Sequence, residues 1–171
     1  MNRSPVNSLL MLLPLLASCA RAVTSADFFP RLAEVRRVYV APLGSSVDAE
    51  SVRDRVRQLL SESRRFTIVD EASAADAILG GVAGVKQIET SITQVDDATG
   101  IVTSNETNHV GFGRLRLFAA GSPDTVWTFE YRIGRSLEKP SIRVANQAVQ
   151  HLLADAAEAD SVNAKPGAPP P

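Results

Sequence analysis

Side chains able to do covalent or metal chemistry are scarce in this chain. It has one cysteine, Cys19, and two histidines, His109 and His151. No His-x-x-x-His or carboxylate–histidine spacing links the histidines, so no metal site is expected. Asp96 and Asp97 are adjacent within Asp96-Asp97-Ala98-Thr99-Gly100, a turn signature. Neighbouring turn side chains point apart into solvent and do not share a site. Gly80-Gly81, Gly84 and Gly111-x-Gly113 lack the strand-to-helix setting and the following Lys-Ser/Thr of a phosphate loop. No nucleophile stands beside a base. The expectation is a protein that is not an enzyme and uses no cofactor.

A lone cysteine cannot close an intramolecular disulfide, and in an exported protein it needs another explanation. Its position supplies one. Residues 1–8 carry the amino group and Arg3, a weakly positive start. Leu9 to Leu16 is an apolar run, too short to span a bilayer but of signal-peptide length. Leu16, Ala17, Ser18 and Cys19 then follow, and they resemble the lipobox of bacterial lipoproteins. Small residues let the chain approach a peptidase closely, and the thiol accepts a diacylglycerol. The resemblance implies that residues 1–18 are a signal peptide and that Cys19 becomes an acylated N-terminus. Several acyl chains, palmitate among them, anchor more firmly than the marginal single chain. Ala20 follows the cysteine where enteric bacteria use Asp for inner-membrane retention. By that analogy the protein sits at the outer membrane, facing the periplasm.

The elements come next. Lys and Arg number 18 against 19 Asp and Glu. This balance lacks the basic excess of a nucleic-acid-binding domain. Residues 19–33 read as a lipidated tether, 34–160 as a single domain, and the Pro-rich stretch 161–171 as a disordered tail. Val35 to Ala41 predicts a strand. Ser45 or Ser46 caps a helix near 48–63, with Val52, Val56, Leu59 and Leu60 on one face. Arg53, Arg55 and Arg57 lie on its charged face, read as solvated or as a docking face for an acidic partner. Phe66 to Asp70 is a short strand, and Asp76 reads as a turn or cap residue. Ala77 to Val85 is a strand whose glycines imply close backbone approach. It runs through Ile88 and Ile92 to the turn at 96–100, and Ile101 to Ala120 returns. Trp127, Phe129, Tyr131 and Ile133 alternate with polar residues, a half-buried strand with Trp127 in the core. After Pro140, Ser141 caps a last helix, and His151 lies on its outer side. The fold class is α/β (α+β): a two-layer sandwich, a mixed sheet of about five strands against two helices, in the order βαββββα. The first strand pair is expected parallel and the last three strands antiparallel.

Val38-Tyr39-Val40-Ala41-Pro42, then Arg65 to Asp70, then Ala75-Asp76-Ala77-Ile78-Leu79-Gly80-Gly81-Val82, and a strand holding a tryptophan before the last helix form a recognisable series. It resembles the domain shared by the curli-secretion lipoprotein CsgG, the penicillin-binding-protein activator LpoB and the N-terminal domain of TolB. The resemblance implies a non-enzymatic lipoprotein that docks onto envelope or secretion machinery or assembles with itself. The long hairpin here is rich in Thr, Ser, Asn and acids, and it lacks the outward apolar band of a membrane strand. A pore is therefore not expected. The candidate interaction residues lie on that hairpin: Ile88, Ile92, Val95, Ile101 and Val102. Long strands reaching past a sheet leave edge groups that a partner strand can satisfy. The alternative is a lipid- or glycan-handling carrier, or an auxiliary lipoprotein of an ABC-type transporter, holding an apolar ligand between helices and sheet.

Overall fold

The computed structural model describes residues 28–96, 100–132 and 139–164. The elements run α1 (Phe28–Glu34), β1 (Arg37–Val40), α2 (Val47–Glu62), β2 (Thr67–Val69), a 3-10 turn (Ala72–Ala74), β3 (Ala77–Asp96), β4 (Gly100–Ala119), β5 (Thr125–Arg132) and α3 (Pro140–Asn163). The five strands form one mixed sheet in the order β2-β1-β3-β4-β5. β1 pairs in parallel with β2 and with β3, while β3–β4 and β4–β5 are antiparallel.

Sequence period explains the sidedness. On β3 and β4 the odd-numbered positions Ala77, Leu79, Ala83, Leu115 and Leu117 are buried. They face Val52, Val56 and Leu60 of α2 and Val144, Ala148, Val149 and Leu152 of α3 in one core cluster. Each such Val or Leu contributes about 1.5–3 kcal/mol by leaving water. Even-numbered positions face the other way, and no helix among the described residues covers them. Val82, on that side, is 54 % exposed and Phe112 is 38 % exposed. The result is two layers, with one sheet face open.

Local signals place the helices. Ser46 accepts the Ala49 backbone N–H at 3.1 Å at the start of α2, and Asp48 and Glu50 sit in the first turn. On β5 a bulge opposite Leu117/Phe118 brings both Val126 and Trp127 into the core. Trp127, Phe129 and Tyr131 then stack along the strand at 5.9 and 6.0 Å.

Three expectations need correction. Residues 19–33 do not all form a tether, because Phe28–Glu34 is a helix whose Leu32 and Ala33 are buried. Seven residues give little periodic signal, and packing against α3 and β5 holds this helix in place. Ser141 does not cap α3. Lys139, at φ 52°, precedes a helix that begins on Pro140 itself, whose ring fixes a helical φ and whose missing N–H is no loss at N1. The same helix runs past residue 160 to Asn163, into the stretch read as tail.

Candidate functional site

β4 loses its β5 partner beyond the Phe112–Arg132 pair. β3 makes its last contact with the β1–α2 connection where Ala83 N–H donates to the Leu43 carbonyl. From there, among the described residues, β3 and β4 pair only with each other, in unbroken register from Val85–Gly111 to Asp96–Gly100. This ribbon is roughly 12 residues per strand, or about 40 Å long. Between residues 85 and 111 the sequence places Glu89, Asp96, Asp97 and Glu106 against the single cation Lys86. Cross-strand polar pairs fasten its base. The Gln87 side-chain amide donates to His109 Nε2 at 3.2 Å, and Ser91 Oγ donates to Asn105 Oδ1 at 2.9 Å. A two-stranded ribbon of this kind is marginal in water by itself and leaves both outer edges unpaired.

The register separates the hairpin residues singled out from sequence. Ile88, opposite Asn108, is 42 % exposed on the open-face side. Positions 92 and 102 share its parity, with Ile92 opposite Ser104 and Val102 opposite Gln94. Val95 and Ile101 are opposite each other and have the other parity. The side chains of Ile92, Val95, Ile101 and Val102 lie outside the described residues, as do Leu16, Ala17, Ser18 and Cys19. Among the described residues no three His, Cys, Asp or Glu side chains group as a metal site. No described helix is long and apolar enough to cross a membrane.

At the other end of the sheet the arrangement is dense with ion pairs that serve the fold. Asp76 Oδ2 accepts the backbone N–H groups of Arg36 and Arg37 at 3.1 and 2.7 Å. Its Oδ1 accepts Arg37 Nε and Nη2 at 3.0 and 2.8 Å. The Arg37 guanidinium, helped by these N–H donors, holds the carboxyl below its usual value of 3.8. Asp124, bonded to Arg31 and Ser122, is shifted the same way. Arg65 is a second hub. It forks onto Asp160 at 2.8 and 2.9 Å and donates to the Val35, Ala33 and Leu32 carbonyls, while lying over the Phe66 ring. The arginines of α2 also turn to the protein. Arg53 donates to the Val40 carbonyl, Arg55 to Gln58 and Asn146, and Arg57 to Asp70. They do not form the cationic docking face considered from sequence.

A cleft of about 470 Å³ opens at this end, lined by Arg31, Glu34, Val35, Asp76, Asp124 and Val126. The Arg31–Asp124 ion pair, at 2.9 Å, is part of its wall. A shallow depression of about 120 Å³ lies on the open face between Val82, Phe112, Arg114, Glu130 and Tyr131. The first lies where α1 meets the end of the sheet, and the second lies on the face away from α2 and α3, whose interface with the sheet is lined by the core cluster.

The chain matches no known protein family and no curated protein. Among solved structures it is similar to a protein described as a neuraminyllactose-binding hemagglutinin homolog from Helicobacter pylori. That match has 14% identity and a TM-score of 0.43, covering 74% of this chain and 91% of that one. It is also similar to an uncharacterized lipoprotein B from Nitrosomonas europaea, at 14% identity and a TM-score of 0.35, covering 75% of this chain and 79% of that one. At this level of similarity neither carries a functional argument.

Proposed function

We propose that this protein is a lipid-anchored, periplasm-facing accessory lipoprotein that works without catalysis, by docking a protein partner through its β3–β4 ribbon. One observation carries the reading: among the described residues, about 40 Å of paired strand leaves the domain with both edges unpaired and meets a helix only at its root, where Gly111 lies against Pro140 and Val144. The lipobox at Leu16–Cys19 and the resemblance to envelope-assembly lipoproteins support the location and the class. The carrier alternative has less support, because the layer between helices and sheet is filled.

The test is the mass of the natively lipidated protein after gentle detergent extraction, measured by light scattering. The comparison is a variant in which residues 87–109 are replaced by a two-residue Asn-Gly turn. A complex for the full ribbon that loses mass when the ribbon is shortened supports docking. Equal masses for the two would refute it.

A further inference from the structure

The open face of the sheet and the solvent stripe of α2 match in chemistry and in spacing. On the sheet, Val82, Phe112, Arg114 and Glu130 line the shallow depression, and Arg116 follows along β4 on the same face. Going from Phe112, these arginines stand about 7 and 13 Å further on at the strand rise. Arg114 is paired with Glu130 at 3.2 Å. Arg116 is exposed and makes no ion pair among the described residues.

On α2, Val47, Glu50, Asp54, Gln58 and Ser61 are all exposed and recur at helical spacing as one stripe. Val47 is 82 % exposed, the most exposed large apolar side chain described. Glu50 and Asp54 stand about 5 and 10 Å beyond it at the helical rise. The three arginines of the helix are turned to the Val40 carbonyl, Asn146 and Asp70, so the stripe itself is acidic. An apolar knob followed by two anions therefore faces outward on one side of the molecule. A depression with Val82 and Phe112 on its wall beside the Arg114–Glu130 pair, and the cation Arg116 beyond it, faces outward on the other.

Going beyond the ribbon reading above and independently of it, we infer that a second copy of this chain covers the open sheet face with its α2. Val47 seats between Val82 and Phe112, and Glu50 and Asp54 meet Arg114 and Arg116. The contact completes what an open sheet lacks, a helical layer on its bare side. Pairing of two open faces is disfavoured, because it would bring Arg116 of each copy onto a cationic surface. The contact uses two different surfaces, so it is heterologous and propagates to a ring or filament.

The experiment uses the mature lipidated chain in detergent, with mass measured by analytical ultracentrifugation across a concentration series. One variant carries Arg114→Glu and Arg116→Glu, the other Glu50→Lys and Asp54→Lys. Each is checked for an unchanged thermal midpoint, with Arg116→Gln, Asp54→Asn and Val47→Ser as milder forms. The expected result is a wild type that assembles beyond a dimer and dissociates with added salt. Each double variant should raise the concentration needed for assembly at least about tenfold, and mixing the two should restore assembly by rebuilding opposite charges across every contact. A monomeric wild type, undiminished assembly in either variant, or mixing without rescue would overturn the inference. If assembly survives the charge swaps but is lost with the shortened ribbon, the docking reading stands and this interface does not.

Discussion

Asp76 follows two alanines at the head of β3, and its type alone suggests no more than a turn residue. Its four hydrogen bonds to Arg36 and Arg37 make it the staple between the starts of β1 and β3. Removing the charge with Asp76→Asn should cost about 1–3 kcal/mol at neutral pH, read from urea unfolding. The sign of the pH dependence follows from the lowered folded pKa. The stabilisation is fully present above the unfolded value near 3.8 and is lost as pH falls through the lower folded value. Wild type and Asp76→Asn should therefore converge in stability below about pH 3.8, and a constant gap down to strong acid would contradict the staple. Arg65 acts at the same scale. Its side chain is 16% exposed and holds α1, β2 and α3 together. Arg65→Lys keeps the charge but loses the planar fork, and should lower stability by about 1–3 kcal/mol in the same assay. Trp127 donates its indole N–H to Asp155 at 2.8 Å. Trp127→Phe keeps most of the packing and leaves Asp155 without this donor, so a loss of about 1–2 kcal/mol in thermal melts is expected.

At the scale of elements, period and punctuation carried much of the fold. Alternation identified β5, the i, i+4, i+7 spacing identified α2, and Asp96 to Gly100 marked the hairpin turn. The expected close backbone approach at the β3 glycines is met at Gly81. It adopts φ +137°, and a Cβ there would lie 2.1 Å from the Arg114 carbonyl oxygen. Gly113 serves helix packing instead, because a Cβ on it would meet Val144 of α3 at 2.8 Å. Gly81→Ala should destabilise the domain by at least about 2 kcal/mol in urea unfolding, from strain and overlap together. The ribbon should behave in the opposite way. Among the described residues only its root at Gly111 meets a helix, so exchanging residues 87–109 for a tight turn should leave the thermal midpoint of the domain within a few degrees of wild type. A large drop would mean that the ribbon belongs to the core. What sequence missed here is α1, a short helix made by burial of Leu32 and Ala33 more than by its own propensity.

For the whole molecule, the geometry has a polarity. α1 ends beside Arg37 and Asp76, and the last turns of α3 reach Arg65 through Asp160, all at the end where β3 begins. The ribbon leaves from the opposite end. Cys19→Ala should move the protein from the membrane to the soluble fraction and abolish labelling with a palmitate analogue. Retention in the membrane would argue against the anchor. The sequence by itself determined the type of nearly every element, the mixed pairing and the core faces. Those depend on local spacing, which a chain carries wherever it folds. Only the tertiary structure decided that the α2 arginines bond back to the protein, that Asp76 and Arg65 are hubs, and that among the described residues one sheet face stays bare while an acidic helix stripe faces out on the other side. These depend on partners tens of residues away, and side-chain direction at such distances is set by how the layers pack.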